Sequence, residues 1–170
     1  MFVINFEKFA ELLFREIKLK LENNQGLSIF AKERAKFEGW LKVELCNILS
    51  SPKYFNYFND IIPEKDRIDI TFKNWAIELK TINTNIRYEN VKNKTRPTTK
   101  NVQGVIKDIK KLKSRNYKNK AVLFIAFPIN HDNKHWQIQF KKIAEELNKI
   151  KHSEFYFKKK IPGVIYCGLI

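Results

Sequence analysis

Asp69 and Glu78 stand nine residues apart, and Lys80 follows two residues after the glutamate. Two carboxylates offer oxygen ligands for a hard divalent cation such as Mg²⁺, which usually takes one or two protein carboxylates and keeps several waters. Near a phosphodiester, such an ion lowers the pKa of a coordinated water and stabilises charge developing at phosphorus. An ammonium beside the carboxylates can orient the attacking water or stabilise the pentavalent centre. This hydrolysis needs no histidine or cysteine nucleophile.

Those three side chains must be brought together, and the residues around them say how. Apolar residues alternate with other types on both sides of Lys73 and Asn74, which predicts two strands joined by a tight turn between about Arg67 and Thr81. Ile68, Ile70 and Phe72 share one face of the first strand, with Asp69 and Thr71 on the other. In the second strand Trp75, Ile77 and Leu79 oppose Ala76, Glu78 and Lys80. Pairing with both apolar sets inward brings Asp69 to the face of Glu78 and Lys80. Glu-x-Lys pairs also occur as plain ion pairs on exposed strands. Here, however, Glu78 is surrounded by Trp75, Ala76, Ile77 and Leu79, which is not the company of an exposed strand.

Charge supplies the second clue. The 170-residue chain has a net charge of +15. Between Asn85 and Lys120 there are twelve Lys or Arg against two acids, Glu89 and Asp108, a local +10. A compositional bias would spread the excess evenly. Its clustering directly after the carboxylate hairpin points to a polyanion, nucleic acid above all. No stretch approaches the roughly 18 apolar residues of a membrane span. The N-terminal residues lack a basic region followed by an apolar core, so no signal peptide is expected. Two distant cysteines, Cys46 and Cys167, suit neither a disulfide framework nor a zinc site, and a cytoplasmic location is expected. No Gly-rich phosphate loop is present, so no nucleotide cofactor is expected. His131 and His135 bracket a turn with no third ligand nearby.

Helical spacing of apolar residues predicts helices from Asn5 to about Glu22 and from about Ile29 to Leu49, the latter stopped by Ser50, Ser51 and Pro52. A third helix is predicted to start at a Thr98 or Thr99 cap and reach Lys113. Ala121 to Phe127 reads as a strand covered on both faces. A helix carrying Ile143, Leu147 and Ile150 comes next, then strands Glu154 to Lys158 and Val164 to Leu169 joined around Pro162 and Gly163. The expected fold class is α/β: a single domain with a mixed central sheet and a hairpin flanked by helices. Residues 1–28 form an N-terminal helix and turn, 29–127 the core, and 128–170 a C-terminal helix and strands.

Asp69, followed after eight residues by Glu78, Leu79 and Lys80 on a hairpin, with an acid-bearing helix before it, resembles the PD-(D/E)xK phosphodiesterase superfamily, the restriction-endonuclease-like fold. The resemblance covers roughly residues 31–127, and Ile68 stands where the proline of the name would be. It implies a mixed four-stranded core sheet flanked by helices. It also implies that Asp69, Glu78 and the backbone carbonyl of Leu79 hold Mg²⁺, with Mn²⁺ as a substitute, and that Lys80 assists the water. Members often place a further acid on the helix before the hairpin, and this chain offers two. Glu38 and Glu44 both lie at the inward stripe of Phe37, Leu41 and Leu45, where a carboxylate needs a partner. Glu44 is favoured and Glu38 kept as the alternative. In several families a Gln or Lys after the Glu-x-Lys strand reaches the site, which makes Gln103 a candidate, with Lys107 on the same helix face.

Arg87, Lys92, Lys94, Arg96, Lys100 and Lys107 are the expected phosphate contacts. Asn83 and Asn85 either bond a nucleic-acid backbone or make the turn after the strand. The expected function is a Mg²⁺-dependent DNA endonuclease of restriction or junction/repair type, acting on double-stranded or branched DNA. One such site cuts one strand, so a homodimer is the expected assembly. A non-catalytic nucleic-acid-binding module of the same fold and an RNA nuclease are the alternatives.

Overall fold

The seven apolar residues from Ala121 to Phe127 need cover on both faces, and the molecule is built around them. The computed structural model describes residues 4–54, 56–93 and 97–170, and all seven are fully buried there. They lie in β4 (Asn119–Phe127), within a six-stranded mixed sheet of order β1-β2-β3-β4-β6-β5. The other strands are β1 (Ile62–Pro63), β2 (Ile70–Phe72), β3 (Trp75–Asn83), β5 (Lys149–Phe157) and β6 (Ile161–Leu169). β3 and β4 are parallel; every other pair is antiparallel.

Five helices cover the sheet: α1 (Phe6–Asn23), α2 (Gln25–Lys32), α3 (Glu38–Leu49), α4 (Thr98–Lys113) and α5 (Lys134–Ala144). Alternation along β4 divides the core. Leu123, Ile125 and Phe127 join Ile77 and Leu79 of β3 under the apolar stripes of α1 and α3, including Phe9, Leu13, Ile17, Leu41 and Leu45. Val122, Phe124 and Ala126 face the other way, toward Val102, Val105 and Ile109 of α4 and Trp136 of α5. Glu78 and Lys80 sit on this second face, between Ala76 and Ile82. Among the described residues no helix is long and apolar enough to cross a membrane.

Four local expectations need correction. The helix expected over 29–49 is two helices, broken at residues 33–37, where Arg34 takes a φ of 53° and sends its side chain inward. Buried Arg34 donates to the carbonyls of Lys92 (2.7 Å), Ile86 (2.6 Å) and Thr84, and these tertiary bonds override helical periodicity. Thr98 does not cap α4 from outside. Pro97 holds the cap position, and the Thr98 hydroxyl instead accepts from the Asn85 amide and donates to Asn85 Oδ1. α5 ends at Ala144, so Leu147 follows it and Ile150 belongs to β5. Finally, the turn between β5 and β6 is Lys158 to Lys160, with φ positive at Lys158 and Lys159, while Pro162 and Gly163 lie inside β6.

Gly163 has a packing reason to be there. It pairs with Phe155, whose ring lies over it, and a Cβ at residue 163 would fall 2.5 Å from Phe155 Cζ. Gly163→Ala is expected to lower stability by about 1–3 kcal/mol in urea denaturation. An unchanged midpoint would mean that the ring has room to swing aside.

Candidate active site

β2 and β3 pair over only three residues each: Ile70 with Ile77, Thr71 with Ala76 and Phe72 with Trp75. Phe72 and Trp75 flank a two-residue turn as a hydrogen-bonded pair, so the backbone groups of Trp75, Ile77, Leu79 and Thr81 all point to the β2 side. Before Ile70, the chain runs through a 3-10 turn at Lys65–Arg67 and leaves the ladder. The edge of β3 is therefore open from Leu79 onward. Side-chain carboxylates take the place of the missing strand. The Leu79 amide donates to Asp69 Oδ2 at 2.8 Å, and the Thr81 amide donates to Glu38 Oε1 at 3.1 Å.

One step beyond Ile70–Ile77 in the same register, Asp69 lies opposite Glu78, and their carboxyl groups hydrogen-bond to each other. Glu78 is 4% exposed. Burial pushes its pKa up to about 7, helped by the Asp69 charge and opposed by the Lys111 ammonium. Burial acts on Asp69 in the same sense. The Lys42 ammonium at 2.7 Å, the Leu79 amide and the Glu78 hydrogen bond outweigh it and hold Asp69 below the usual range. Of the two carboxyls, Glu78 is therefore the one that keeps its proton until the pH rises to about 7.

Helices on opposite sheet faces both reach this edge. From α3 come Glu38 in its first turn and, one turn later, Lys42, which bridges Asp69 and Glu64. From α4 comes a row at spacings of three and four residues: Asn101, Gly104, Asp108 and Lys111. Asn101 Nδ2 donates to the Asn83 carbonyl at 3.1 Å, and Lys111 donates to Glu78 Oε1 and to the Arg67 carbonyl. Gly104 lies against the Lys80 stem, where an added Cβ would meet Lys80 Cε at 3.7 Å. Lys80 Nζ is 2.9 Å from Asp108 Oδ2, an ion pair by distance, although that oxygen has no hydrogen-bond donor aimed at it. Burial works against the Lys80 cation, but Asp108, Glu38 and Asp69 outweigh it and raise its pKa. Lys80 is therefore an ammonium at neutral pH, suited to stabilising negative charge rather than to accepting a proton.

Asp69, Glu78, Lys80 and Glu38 are thus brought to one place; Glu44 is not. Its carboxylate pairs with Lys20 of α1 at 2.8 Å and accepts from Asn47. Six residues put Glu44 about 120° round the helix from Glu38, so only one of them can face the β3 edge. Gln103 and Lys107 are exposed on α4, each one residue before a member of the row that faces β3. Asn83 is fully buried, its amide donating to the Arg34 carbonyl at 2.6 Å, and is unavailable to a nucleic acid. Asn85 is exposed but tied to Thr98 at the start of α4. Arg87 and Lys100 are exposed, and exposed Lys92 pairs with Glu33 at 3.0 Å. Lys94 and Arg96 lie outside the described residues.

Lys42, Asp108 and Lys111 are the members of the cluster that sequence reasoning missed. One signal was present: Asp108 is an acid inside a segment of twelve cations. His131, by contrast, stacks on His152 at 3.7 Å and bonds the Tyr166 hydroxyl, away from His135.

No family model, curated protein or solved structure matches this chain. The donor chemistry therefore has to speak for itself. Among the described residues no three His, Cys, Asp or Glu side chains are grouped to ligate one ion. The oxygens on offer are the two carboxylates and the Leu79 carbonyl, which backbone alternation places on the open edge beside the Leu79 amide. Two carboxylates are enough for Mg²⁺, which retains water in its remaining positions. A shared proton and two lysines hold the pair together, so a divalent cation would replace charge that the site already seeks.

Proposed function

We propose that this chain is a Mg²⁺-dependent nuclease hydrolysing phosphodiester bonds in DNA, with a restriction-endonuclease-like core formed by β2, β3, α4 and β4. The observation that carries the proposal is half-buried Asp69 beside buried Glu78 at an open strand edge, with the Lys80 ammonium two residues along the same face. Asp69, Glu78 and the Leu79 carbonyl would hold the cation, which when bound polarises a phosphoryl oxygen and lowers the pKa of water. Glu78 gives up its proton for this, and Lys42 and Lys111 give up their hold on the carboxylates. Lys80, positioned by Asp108, stabilises charge on the phosphoryl oxygens in the transition state. Glu38 secures the Thr81 amide and so fixes the strand that carries Glu78 and Lys80.

One observation favours a non-catalytic nucleic-acid-binding module instead. Lys42 and Lys111 already pair with the two carboxylates, and a salt-bridged strand edge of this kind needs no metal. Cleavage of supercoiled plasmid and of branched DNA, with Mg²⁺ and with EDTA, separates the two. Asp69→Ala and Lys80→Ala are each expected to slow Mg²⁺-dependent cleavage by roughly 10²-fold or more. If both variants cut like the parent, this site is not the nuclease centre. Salt-sensitive binding with no metal-dependent cleavage leaves the binding module, and preferential cutting of an RNA substrate makes the enzyme a ribonuclease.

A further inference from the structure

Overlapping the row of α4 that faces β3, and sharing Gly104 and Lys111 with it, runs a stripe with three lysines. Lys100, Gly104, Lys107 and Lys111 recur at spacings of four, three and four residues, so they fall within about 60° of one another round the helix. The stripe extends over roughly 16 Å. Its C-terminal member, Lys111, already contacts Glu78. Gly104, midway along, exposes bare helix backbone directly above the Lys80 stem. Lys100 and Lys107 are exposed and, among the described residues, have no carboxylate within ion-pair distance. On another stripe of the same helix, Lys110 and Lys113 are both paired with Glu146, at 3.6 and 2.8 Å. The unneutralised charge of α4 is therefore on the side next to the carboxylate pair. At the N-terminal end of the stripe a cleft of about 410 Å³ opens between Lys36, Pro97, Lys100 and Asn101, where Lys36 pairs with Glu38 at 3.7 Å.

We infer that this stripe of α4 is the track for one nucleic-acid backbone, leading from the Lys36–Lys100 cleft past Gly104 to the Asp69–Glu78 pair. Its length matches a short run of phosphates along one strand, enough for Lys100, Lys107 and Lys111 each to meet a phosphate. Glycine keeps the middle of the track free of side chain, so a backbone can approach Lys80. The track rests on the nuclease reading and adds to it which helix holds the substrate and along what direction. It also gives Lys111 two partners in turn, Glu78 in the free protein and a phosphate when that carboxylate is engaged.

The test is binding measured by fluorescence anisotropy in EDTA, where cleavage does not enter, over a series of salt concentrations. Duplex DNA, single-stranded DNA and RNA of one sequence serve as probes. Lys100→Gln/Lys107→Gln is compared with Lys158→Gln/Lys159→Gln, an equal charge change at the β5–β6 turn by the opposite edge of the sheet. The α4 variant is expected to bind at least tenfold more weakly at low salt. Its log–log salt slope should fall by about 1.8 on duplex or about 1.4 on a single strand, the loss of two phosphate contacts. The turn variant should match the parent. An α4 variant that binds like the parent, with or without loss in the turn variant, overturns the track and leaves the nuclease reading standing. A parent that binds none of the three probes at low salt overturns both.

Discussion

Glu78→Gln is expected to stabilise the metal-free protein at pH 8 while lowering Mg²⁺-dependent cleavage by about 10²-fold or more. The two effects have one cause. In the folded protein burial lifts the Glu78 carboxyl to about 7, against an ordinary value of 4.5. Between those values the unfolded chain has lost the proton and the folded chain still holds it. Stability therefore falls as pH rises through this window, and above about pH 7 the loss is complete. Glutamine has no proton to lose, and its amide can still donate to Asp69. The gain at pH 8 should be on the order of 2 kcal/mol and should vanish near pH 4.5. Urea unfolding in EDTA across pH 4.5 to 8 measures it. Parallel stability profiles for the two proteins would show that Glu78 is not the strained member of the pair, and undiminished cleavage would remove it from the reaction.

Arg34→Met should destabilise the fold by about 3 kcal/mol, a fall in Tm of roughly 6–12 °C, with Arg34→Lys no better. The Arg34 side chain is 1% exposed, and its guanidinium serves three carbonyls, those of Thr84, Ile86 and Lys92. No carboxylate is among these partners, and burial lowers its pKa. Methionine fills much of the volume but leaves three inward carbonyls without their donor. Lysine keeps the charge but lacks the planar fork that reaches three acceptors at once. Since the bonds tie the segment after β3 to the break between α2 and α3, both variants should also expose residues 84–92 to limited proteolysis. A Tm within 2 °C of the parent for Arg34→Met would mean that the segment is held by other contacts.

The hairpin was legible because a strand places side chains by parity alone. Ile77 and Leu79 go one way, Glu78 and Lys80 the other, whatever the rest of the chain does. β4 was legible for a related reason, since seven apolar residues in a row have only one comfortable place. The ends of α5 and the β5–β6 turn were less so. Leu147 and Ile150 keep helical spacing beyond Ala144, and Pro162–Gly163 looks like a turn until Gly163 is seen beneath the Phe155 ring.

What surrounds the hairpin could not be read the same way. Glu38 and Glu44 both satisfy the spacing that sequence alone offers, and the choice depends on which side of α3 faces β3. That in turn depends on where α2 stops, a matter settled by Arg34 bonding to carbonyls about fifty residues away. Lys42, Asp108 and Lys111 look like ordinary helix-surface charges until α3 and α4, on opposite faces of the sheet, both reach the open edge of β3. The types of the clustered charged groups and the strand that carries Glu78 and Lys80 follow from local chemistry and a period of two. Their partners, their protonation and the side on which the strand edge stays open follow from packing, because burial and ion pairing are properties of neighbours distant in the chain.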